Sequence, residues 1–569
     1  MRIRYLLCLI SAACQGFEPA EIAVRIDGAD GRAFSGDLRC VLTANRDEVT
    51  LSWTVDGQPA PRALRTTDYP DDTFDAEFVR PGRTIACKAT YALEGEVFAE
   101  AEDAVEVGRP HILLLIADAL GPGDPDTFGG RVPTPNLSRL QAEGTHLTEA
   151  YAASAASSPA RAGLLTGTMP NRFGFEYDIG PQDAEGAAQR GVPPGVPFLA
   201  DVLSDAGYHT AHIGQWHLGT AADFAPMRRG YQRFFGHLGN DLLPLPPGEG
   251  RTQVYPHSSF PDAPDGDTLQ EGGTPVPRDG HLLDQLADAA IAEIHDAAGG
   301  GAPLFLSLAF SEPGGPLATT PEHEALLPRP PSNAHARAAE ASLAATDHHI
   351  GRILDALDDS GIADDTIVVF LSDAGCPADA SFCYNGPRRG GRNVLHEGGL
   401  RVPVLMRWPD RIPAGHSEAA IFSALDLMPT LARAAGAGLP TDAALDGFDQ
   451  LAYLRGITAE PPREGADWRL LPAAAARVGP YKIVAVVDLE RLAQGGDDAF
   501  IESLQYWLFN LEDDPAELTD LKSDPDLEEV AQAAVALLAA RSYNTYVRPA
   551  WIGTEFTGAY YGINFELGH

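Results

Sequence analysis

Three uninterrupted apolar runs, each long enough for one buried strand, constrain the fold of this chain most. They cover residues 111–116, 303–310 and 366–371. Asp118 and Asp373 lie just beyond the first and third runs. Continuous apolar runs are typical of parallel strands covered by helices, and ligands bind beyond the carboxyl ends of such strands. Helical spacing over residues 346–357 completes the pattern, which predicts an α/β domain with a large doubly wound mixed sheet between helices.

The net charge of the chain excludes one class of partner. Its 569 residues include 80 acidic and 41 basic side chains, which gives a formal charge of −39 at pH 7. A nucleic-acid-binding protein needs a basic face that releases counterions, so we expect no nucleic-acid partner. A hydrophobic content of 44% is ordinary for a globular protein. Only Lys88, Lys482 and Lys522 among the basic residues are lysines.

The first 16 residues have the pattern of a signal peptide or lipoprotein signal. Arg2 and Arg4 precede an apolar stretch at residues 5–13, which is too short to span a bilayer. We therefore expect export to a periplasmic, cell-surface or extracellular location. Cys14 follows small residues and is similar to a bacterial lipoprotein processing site. Attachment to a membrane through a lipid at Cys14 and simple cleavage nearby are both consistent with this pattern.

Residues 18–107 alternate apolar and polar positions in short runs broken by turn pairs, which predicts an all-β module. Cys40, Trp53 and Cys87 occur in the order of the immunoglobulin-like sandwich, which this segment resembles. The resemblance implies a disulfide between Cys40 and Cys87 packed on the tryptophan; two free buried cysteines are the alternative. Such a module is more often a spacer or adhesion element than a catalyst.

The rest of the chain is divided into an α/β domain at 108–438 and a C-terminal subdomain with a tail at 439–569. Apolar runs in the second part predict a small antiparallel sheet. Cys376 and Cys383 flank a short loop after Asp373, and we expect a disulfide there in an exported chain.

The segment from Ser157 to Gly167, SSPARAGLLTG, resembles the signature of the sulfatase family, in which a cysteine or serine is oxidised to formylglycine. Further blocks follow the order of that family, a branch of the alkaline phosphatase superfamily. They are TPNLSRLQAEG at 134–144, GQWHLG at 214–219, RRGYQRFFG at 228–236, SDAG at 372–375, GGRNVLHEGGLRVPVLMRWP at 390–409 and YWLFNLEDDPAELTDL at 506–521. The chain is therefore identified as a member of the sulfatase family, similar to arylsulfatases.

The resemblance implies a role for each matching residue. Ser157 would carry the formylglycine and contact a calcium ion that Asp118 and Asp373 also bind. Arg161 would hold Ser157 in place, and His217 would bond to the formylglycine diol or to sulfate. Arg392 stands where the family usually has a lysine and would bind a sulfate oxygen. These residue types suit the hydrolysis of a sulfate ester, because the ester is an anion that a hard cation and positive side chains neutralise. The implied ligand is a sulfated glycan or another small anionic ester.

Besides Arg392, four positions depart from the family pattern. Ala119 and Ala374 replace two metal ligands, Gln215 replaces a lysine, and Gly314 replaces a histidine. No lysine occurs between Lys88 and Lys482 that could substitute for the missing one. Losing one preorganised oxyanion donor costs about 2.7–4 kcal/mol of transition-state stabilisation. We therefore expect weak or lost hydrolysis, with binding of an anionic glycan or a partner protein retained, as in a pseudoenzyme.

Two other interpretations remain open. In the first, the protein is an active serine-type sulfatase whose site is rebuilt with Asp124, Asp126 or His396. In the second, it is a phosphoester hydrolase that uses unmodified Ser157, which requires a site with two metal ions. His348 and His349 beside Asp347 suggest such a site, but their position on a predicted helix favours a solvated helix face. The sequence does not indicate an oligomeric state.

Overall fold

The computed structural model describes most of the chain, in two compact units. The described residues are 22–27, 37–44, 49–55, 58–59, 73–75, 84–93, 96–106, 108–179, 190–239, 242–246, 253–254, 268–377, 383–440, 445–470, 472–487 and 504–538. The predicted signal segment and Cys14 lie outside them. Among the described residues, no helix is both long and apolar enough to cross a membrane.

The first unit covers residues 1–110 and 433–436, and its strands form two antiparallel sheets. One sheet contains β1 (Ile22–Asp27), β2 (Asp37–Ala44) and β5 (Thr73–Asp75); the other contains β3 (Val49–Val55), β4 (Gln58–Pro59), β6 (Thr84–Leu93) and β7 (Glu96–Glu106). Trp53 lies opposite Cys87 across β3 and β6, and both side chains are buried. Cys87 is disulfide-bonded. The side chain of Cys40 is outside the described residues, so its pairing and the immunoglobulin-like assignment stay predictions.

A mixed sheet of ten strands lies at the centre of the second unit, which covers residues 111–432 and 437–569. Its strands are β8 (His111–Asp118), β9 (Thr145–Tyr151), β10 (His209–Gln215), β11 (Arg233–His237), β13 (Gln270–Glu271), β14 (Thr274–Pro275), β15 (Leu304–Pro313), β17 (Thr366–Ser372), β18 (Val404–Arg407) and β19 (His416–Ser423). The spatial order is β14-β13-β11-β10-β15-β8-β17-β18-β9-β19. A separate pair joins β12 (Gln253–Val254) to β16 (Leu317–Ala318).

The block β11-β10-β15-β8-β17 is parallel throughout, and it contains all three of the apolar runs. Every residue of β8, β15 and β17 is buried, as expected for strands covered on both faces. Leu113, Leu306 and Val368 pack with helix residues such as Leu286 and Ile353 in one apolar cluster. The predicted α/β fold with a large mixed sheet is therefore confirmed.

Ten α-helices lie within the described residues. They are α1 (Pro135–Glu143), α2 (Ser157–Thr166), α3 (Leu199–Asp205), α4 (Leu282–Ala298), α5 (Pro321–Glu324), α6 (Ala334–Asp359), α7 (Glu397–Leu400), α8 (Leu427–Ala434), α9 (Leu451–Leu454) and α10 (Glu528–Leu538). The predicted helix at 346–357 is the second half of α6. That helix begins earlier because the side chain of Asn333 accepts hydrogen bonds from the first free amides.

The prediction of a solvated face around His348 and His349 is wrong for His349. His348 is exposed, but His349 is only 2% exposed because α6 packs against α4. Asp347 is also buried, and its carboxylate accepts hydrogen bonds from the backbone amides of Asn136 and Leu137 at the start of α1. The side chains of Asp347 and His349 therefore face protein, while His348 between them faces solvent.

A small antiparallel sheet follows, as predicted. It consists of β20 (Gly465–Leu470), β21 (Ala473–Val478), β22 (Tyr481–Val487) and β23 (Leu504–Asn510), in that order. One face packs on Tyr151, Leu400 and Leu395, and the other packs on residues of α10. The sheet therefore supports the segment around α7, which contains part of the predicted site.

Candidate active site

The carboxyl ends of four neighbouring parallel strands form the base of the candidate site. In the sheet register, Pro313 of β15 lies opposite Asp118 of β8, and Ser372 of β17 lies opposite Ala117. Asp118, Glu312 and Asp373 consequently lie at one edge, together with Gln215 at the end of β10. This is the position at which open α/β sheets bind ligands.

Ser157 is the first residue of α2, and it is fully buried. Its hydroxyl donates to Asp118 Oδ1 at 3.2 Å, while the helix cap position is occupied by Ala156 without a side-chain cap. The hydroxyl is therefore directed at the acidic edge of the sheet rather than used to cap the helix.

Arg161 lies one turn further along α2 and connects three strand ends. Its Nε donates to Asp373 Oδ2 at 2.7 Å, and its NH1 and NH2 donate to the backbone oxygen and to Oε1 of Gln215 at 2.8 and 2.7 Å. NH2 also lies 3.7 Å from Asp118 Oδ1. Because these contacts occupy all three nitrogens, Arg161 positions the other groups.

His217 and Arg392 both lie close to Asp178. His217 Nε2 donates to the backbone oxygen of Ile179 at 3.2 Å, so its buried Nδ1 is an acceptor without a partner. Burial, with Arg161 and Arg392 nearby, lowers the pKa of His217 to about 4, so the ring is neutral at neutral pH. Arg392 NH2 bonds to Asp178 Oδ2 at 3.0 Å, while its Nε is buried without a hydrogen-bond partner.

Glu312 is a candidate site residue that the sequence analysis missed. Its side chain is fully buried, and neither carboxylate oxygen has a hydrogen-bond partner. Burial and the charge of Asp118 raise its pKa to about 8. Burial and Asp373 likewise raise the pKa of Asp118 to about 7, against the lowering by Arg392 and Arg161. The available signal was an acidic residue shortly after the run at 303–310, which parallels the position of Asp118 after the first run.

These carboxylates fit a hard divalent cation. Asp118, Asp373 and Glu312 offer oxygen ligands at one buried edge, and calcium prefers oxygen ligands. Unpartnered buried carboxylate oxygens such as those of Glu312 are costly unless a proton or a cation compensates them. The donor types therefore suit calcium, although two positions of the family pattern are alanine and the three carboxylates are not among the tight ligand clusters of the described residues.

The departures from the family pattern lie directly beside these groups. Ala119 has a left-handed backbone, with φ of 49°, and its amide donates to Asp373 Oδ1 at 3.0 Å. Ala374 is fully buried. A side chain at Gly314 would place its Cβ 2.1 Å from Asp118 Oδ2, so the histidine of the family cannot occupy this position without moving Asp118. Gln215 Nε2 is buried and has no hydrogen-bond partner.

Asp124 and Asp126, two of the three residues suggested for a rebuilt site, are engaged elsewhere, whereas His396 Nδ1 has no hydrogen-bond partner. Asp126 Oδ1 accepts from the amide and hydroxyl of Thr134, and Asp124 Oδ2 accepts from the amide of Tyr384. His396 Nδ1 lies 3.3 Å from Glu517 Oε1.

Cys376 and Cys383 form a disulfide, with their Cα atoms 6.3 Å apart. The backbone oxygen of Cys376 accepts hydrogen bonds from the amide of Arg392 and from the side chain of Asn385. The disulfide-closed loop therefore helps to fix the backbone that presents Arg392.

Lys482 does not replace the missing lysine. It lies buried on β22, where Nζ donates to Glu397 Oε1 at 2.9 Å and forms an ion pair with Glu517, 3.0 Å from Oε1. Its charge is therefore committed to two carboxylates that support α7.

Carboxylates at a parallel sheet edge, beside a serine at a helix start, form the candidate ligand site of an α/β protein. The chain belongs to the sulfatase family, whose model, described as Sulfatase, matches residues 110–437.

Several known sulfatases are similar to the chain over most of its length. It is 30% identical to arylsulfatase G of Rattus norvegicus over 470 residues, which is 76% of this chain and 86% of the relative. It is 32% identical to N-acetylgalactosamine-6-sulfatase of Sus scrofa, over 66% of this chain and 71% of the relative. The crystal structure of Ps i-CgsB in complex with k-i-k-neocarrahexaose has a TM-score of 0.66 and 28% identity, over 78% of this chain and 95% of that one.

Proposed function

We propose that this protein binds sulfated saccharides through a calcium-dependent site and hydrolyses them weakly or not at all. The observation that carries the proposal is the set of unpartnered buried groups at the sheet edge. Glu312 offers two carboxylate oxygens without partners, while Arg392 Nε and Gln215 Nε2 offer donors without partners. A site with unpaired acceptors for a cation and unpaired donors for an anion suits a cation together with a sulfate group.

Asp118, Asp373 and Glu312 would hold the calcium ion, with the Ser157 side chain beside it. Sulfatases generally depend on calcium, which would neutralise a sulfate oxygen in such a site. Arg392 directs its unpaired Nε–H to a second oxygen while Asp178 holds its NH2 group. Arg161 keeps Asp118 and Asp373 in place.

The residues available for proton transfer argue against efficient hydrolysis. Gln215 and Gly314 carry no titratable group, and an arginine at 392 does not release its proton at neutral pH. The low pKa of His217 makes this ring an acceptor rather than an acid. With Asp118, Asp373 and Glu312 holding the calcium ion as ionised carboxylates, the leaving oxygen would depart without a proton donor from the groups that form this site.

A sulfated saccharide is the favoured ligand because a similar solved structure, that of Ps i-CgsB, holds a neocarrahexaose. The charge of −39 opposes the approach of any anion, so the calcium ion and Arg392 must create a local positive potential. Export, inferred from the first 16 residues, would bring the protein to extracellular polysaccharides.

The test is calorimetry with the full chain, co-expressed with a formylglycine-generating enzyme. We expect a sulfated carrageenan oligosaccharide to bind in calcium and not in EDTA, and its desulfated counterpart not to bind. Hydrolysis of an aryl sulfate by the wild type should equal that by Ser157→Ala. Mass spectrometry of the Ser157 peptide, where formylglycine removes two hydrogens, shows whether the wild type was modified in this assay. Robust turnover that disappears in Ser157→Ala would overturn the degenerate-site interpretation, and absence of binding to all sulfated oligosaccharides tested would overturn the binding proposal.

Restoring the family residues should restore catalysis only in combination. Gln215→Lys alone places an ammonium where Gln215 Oε1 now accepts from Arg161, so it should stay inactive. Adding Ala119→Asp supplies a negative charge that balances the lysine, and Ala374→Asn supplies a further oxygen ligand. Aspartate also tolerates the left-handed backbone at position 119 better than most residues. Aryl sulfate turnover by the triple variant should rise by about 100-fold, the scale of one oxyanion donor. A triple variant that folds, binds calcium and remains inactive would contradict this account.

A further inference from the structure

A cluster formed by Asp284, His323 and His349 is separate from the residues of the sulfate site. Asp284 lies in the first turn of α4, His323 in α5 and His349 in the middle of α6. One ligand atom from each side chain lies within 4.8 Å of the others. His323 is 7% exposed and His349 is 2% exposed, whereas Asp284 lies at the surface.

Two ring nitrogens in this cluster lack hydrogen-bond partners. His323 Nδ1 and His349 Nε2 are both buried without one. His349 Nε2 lies 3.1 Å from Asp284 Oδ1, a distance that permits an ion pair without the alignment of a hydrogen bond. Buried polar atoms of native proteins usually find a partner, so two such atoms in one cluster indicate that something else completes it.

We propose that Asp284, His323 and His349 bind a divalent transition metal ion of the zinc type. Two imidazole nitrogens and one carboxylate oxygen suit Zn²⁺ and related ions, while calcium and magnesium prefer oxygen alone. With three protein ligands, water takes the fourth tetrahedral position on the side where Asp284 meets solvent. The bound ion joins three helices, α4, α5 and α6, on one side of the sheet.

The hydrogen bonds of neighbouring side chains show which of them are available to bind the ion. His281 packs edge-on against His323, with ring centroids 4.4 Å apart, but its own nitrogens already bond to the amide of Leu283 and the backbone oxygen of Ala318. It therefore orients the His323 ring. Burial lowers the pKa of His323, which keeps the ring neutral and free to bind a metal.

Arg352 opposes the metal. Its NH1 lies 3.3 Å from His349 Nδ1, and its NH2 bonds to Asp288 at 2.6 Å. A metal on Nε2 requires a proton on Nδ1, which then faces the guanidinium. Metal-binding histidines usually give this proton to a carbonyl or carboxylate. Arg352→Gln supplies a carbonyl oxygen in place of the guanidinium and should therefore tighten binding.

The experiment titrates the full-length protein with Co²⁺ and with Zn²⁺ in excess Ca²⁺, which occupies the oxygen-rich sulfate site. We expect one equivalent of Co²⁺ to give the visible absorption of a tetrahedral ion, and Zn²⁺ to displace it. His323→Ala and His349→Ala should each weaken binding at least tenfold. Arg352→Gln should strengthen it, and His335→Gln, an exposed histidine on the same helix α6, should leave it unchanged.

Three results would overturn the proposal: no stoichiometric Co²⁺ binding, equal binding by His335→Gln and His349→Ala, or loss of the Co²⁺ spectrum in Asp118→Asn. Asp118→Asn alters only the sulfate site. If the proposed calcium site is wrong, Co²⁺ binding at Asp284, His323 and His349 is therefore still expected. If His349→Ala unfolds because it is a core residue, Asp284→Asn at the surface provides the same test and should weaken Co²⁺ binding at least tenfold.

Discussion

Replacing Lys482 by methionine should lower the free energy of unfolding by about 3–5 kcal/mol, the cost of leaving a buried charge without its partner. Lys482, Glu397 and Glu517 are all buried, and the ammonium lies 2.9 Å and 3.0 Å from their carboxylate oxygens. Methionine keeps most of the volume but leaves two carboxylates together. Urea unfolding followed by tryptophan fluorescence measures the change.

Lys522→Met is the matched control, because Lys522 pairs with Asp520 at the surface and such pairs contribute little. It should change stability by less than about 0.5 kcal/mol. A cost below about 1 kcal/mol for Lys482→Met would show that the cluster is not held by charge pairing.

The pH dependence of this cluster has a definite sign. Burial raises the pKa of Glu397, but Lys482 and Arg401 outweigh it and lower the pKa from 4.5 to about 2. A carboxyl group whose pKa is lower in the folded state than in the unfolded state makes its full contribution to stability at pH values above the unfolded-state pKa. This contribution is lost as the pH falls from 4.5 towards about 2. The stability difference between the wild type and Lys482→Met should therefore shrink over that range.

Glu312→Gln should abolish most calcium binding while leaving the calcium-free protein as stable or more stable. Glutamine keeps the shape but removes a buried carboxylate that has no partner and whose pKa burial has raised to about 8. Calcium at about 100 times its Kd stabilises a folded protein by about 2.7 kcal/mol. If the variant binds about 100-fold more weakly, the same calcium concentration gives about 0.4 kcal/mol. Thermal unfolding in EDTA measures the stability of the calcium-free protein, and thermal unfolding in calcium measures the stabilisation by the ion.

Glu293→Gln is the control for burial alone. Glu293 is also buried, but it pairs with His209 and Arg233. Its loss should destabilise the protein equally with and without calcium. An unchanged calcium increment in Glu312→Gln would remove Glu312 from the cation site.

Much of the site could be predicted from the sequence because its signals are local. The run at 111–116 predicts a strand, and Asp118 follows it directly, so its position at a sheet edge needs no tertiary information. The segment from Ser157 to Arg161 is recognisable as a motif, and the structure places it at the start of α2 beside Asp118. The two cysteines at 376 and 383 are close enough in sequence to predict their bond, which the structure contains.

Glu312 and His349 were beyond this reasoning because burial and strand pairing depend on residues far apart in the chain. Only the parallel register between β15 and β8 puts Glu312 beside Asp118, where its pKa rises. Only the packing of α6 on α4 buries His349 beside Asp284. The local pattern of hydrophobic and polar residues does not show that Asp118 lies beside Glu312 or that Asp284 lies beside His349.

The sequence by itself determined what chemistry the chain lacks. A methyl group at Ala119 and Ala374, a glutamine at 215 and a glycine at 314 cannot regain charge in any fold, since these limits are set by covalent structure. The tertiary structure alone decided which remaining groups meet. Asp118, Glu312 and Asp373 come together where neighbouring strands end side by side, and burial at that edge leaves the carboxylate oxygens of Glu312 without partners.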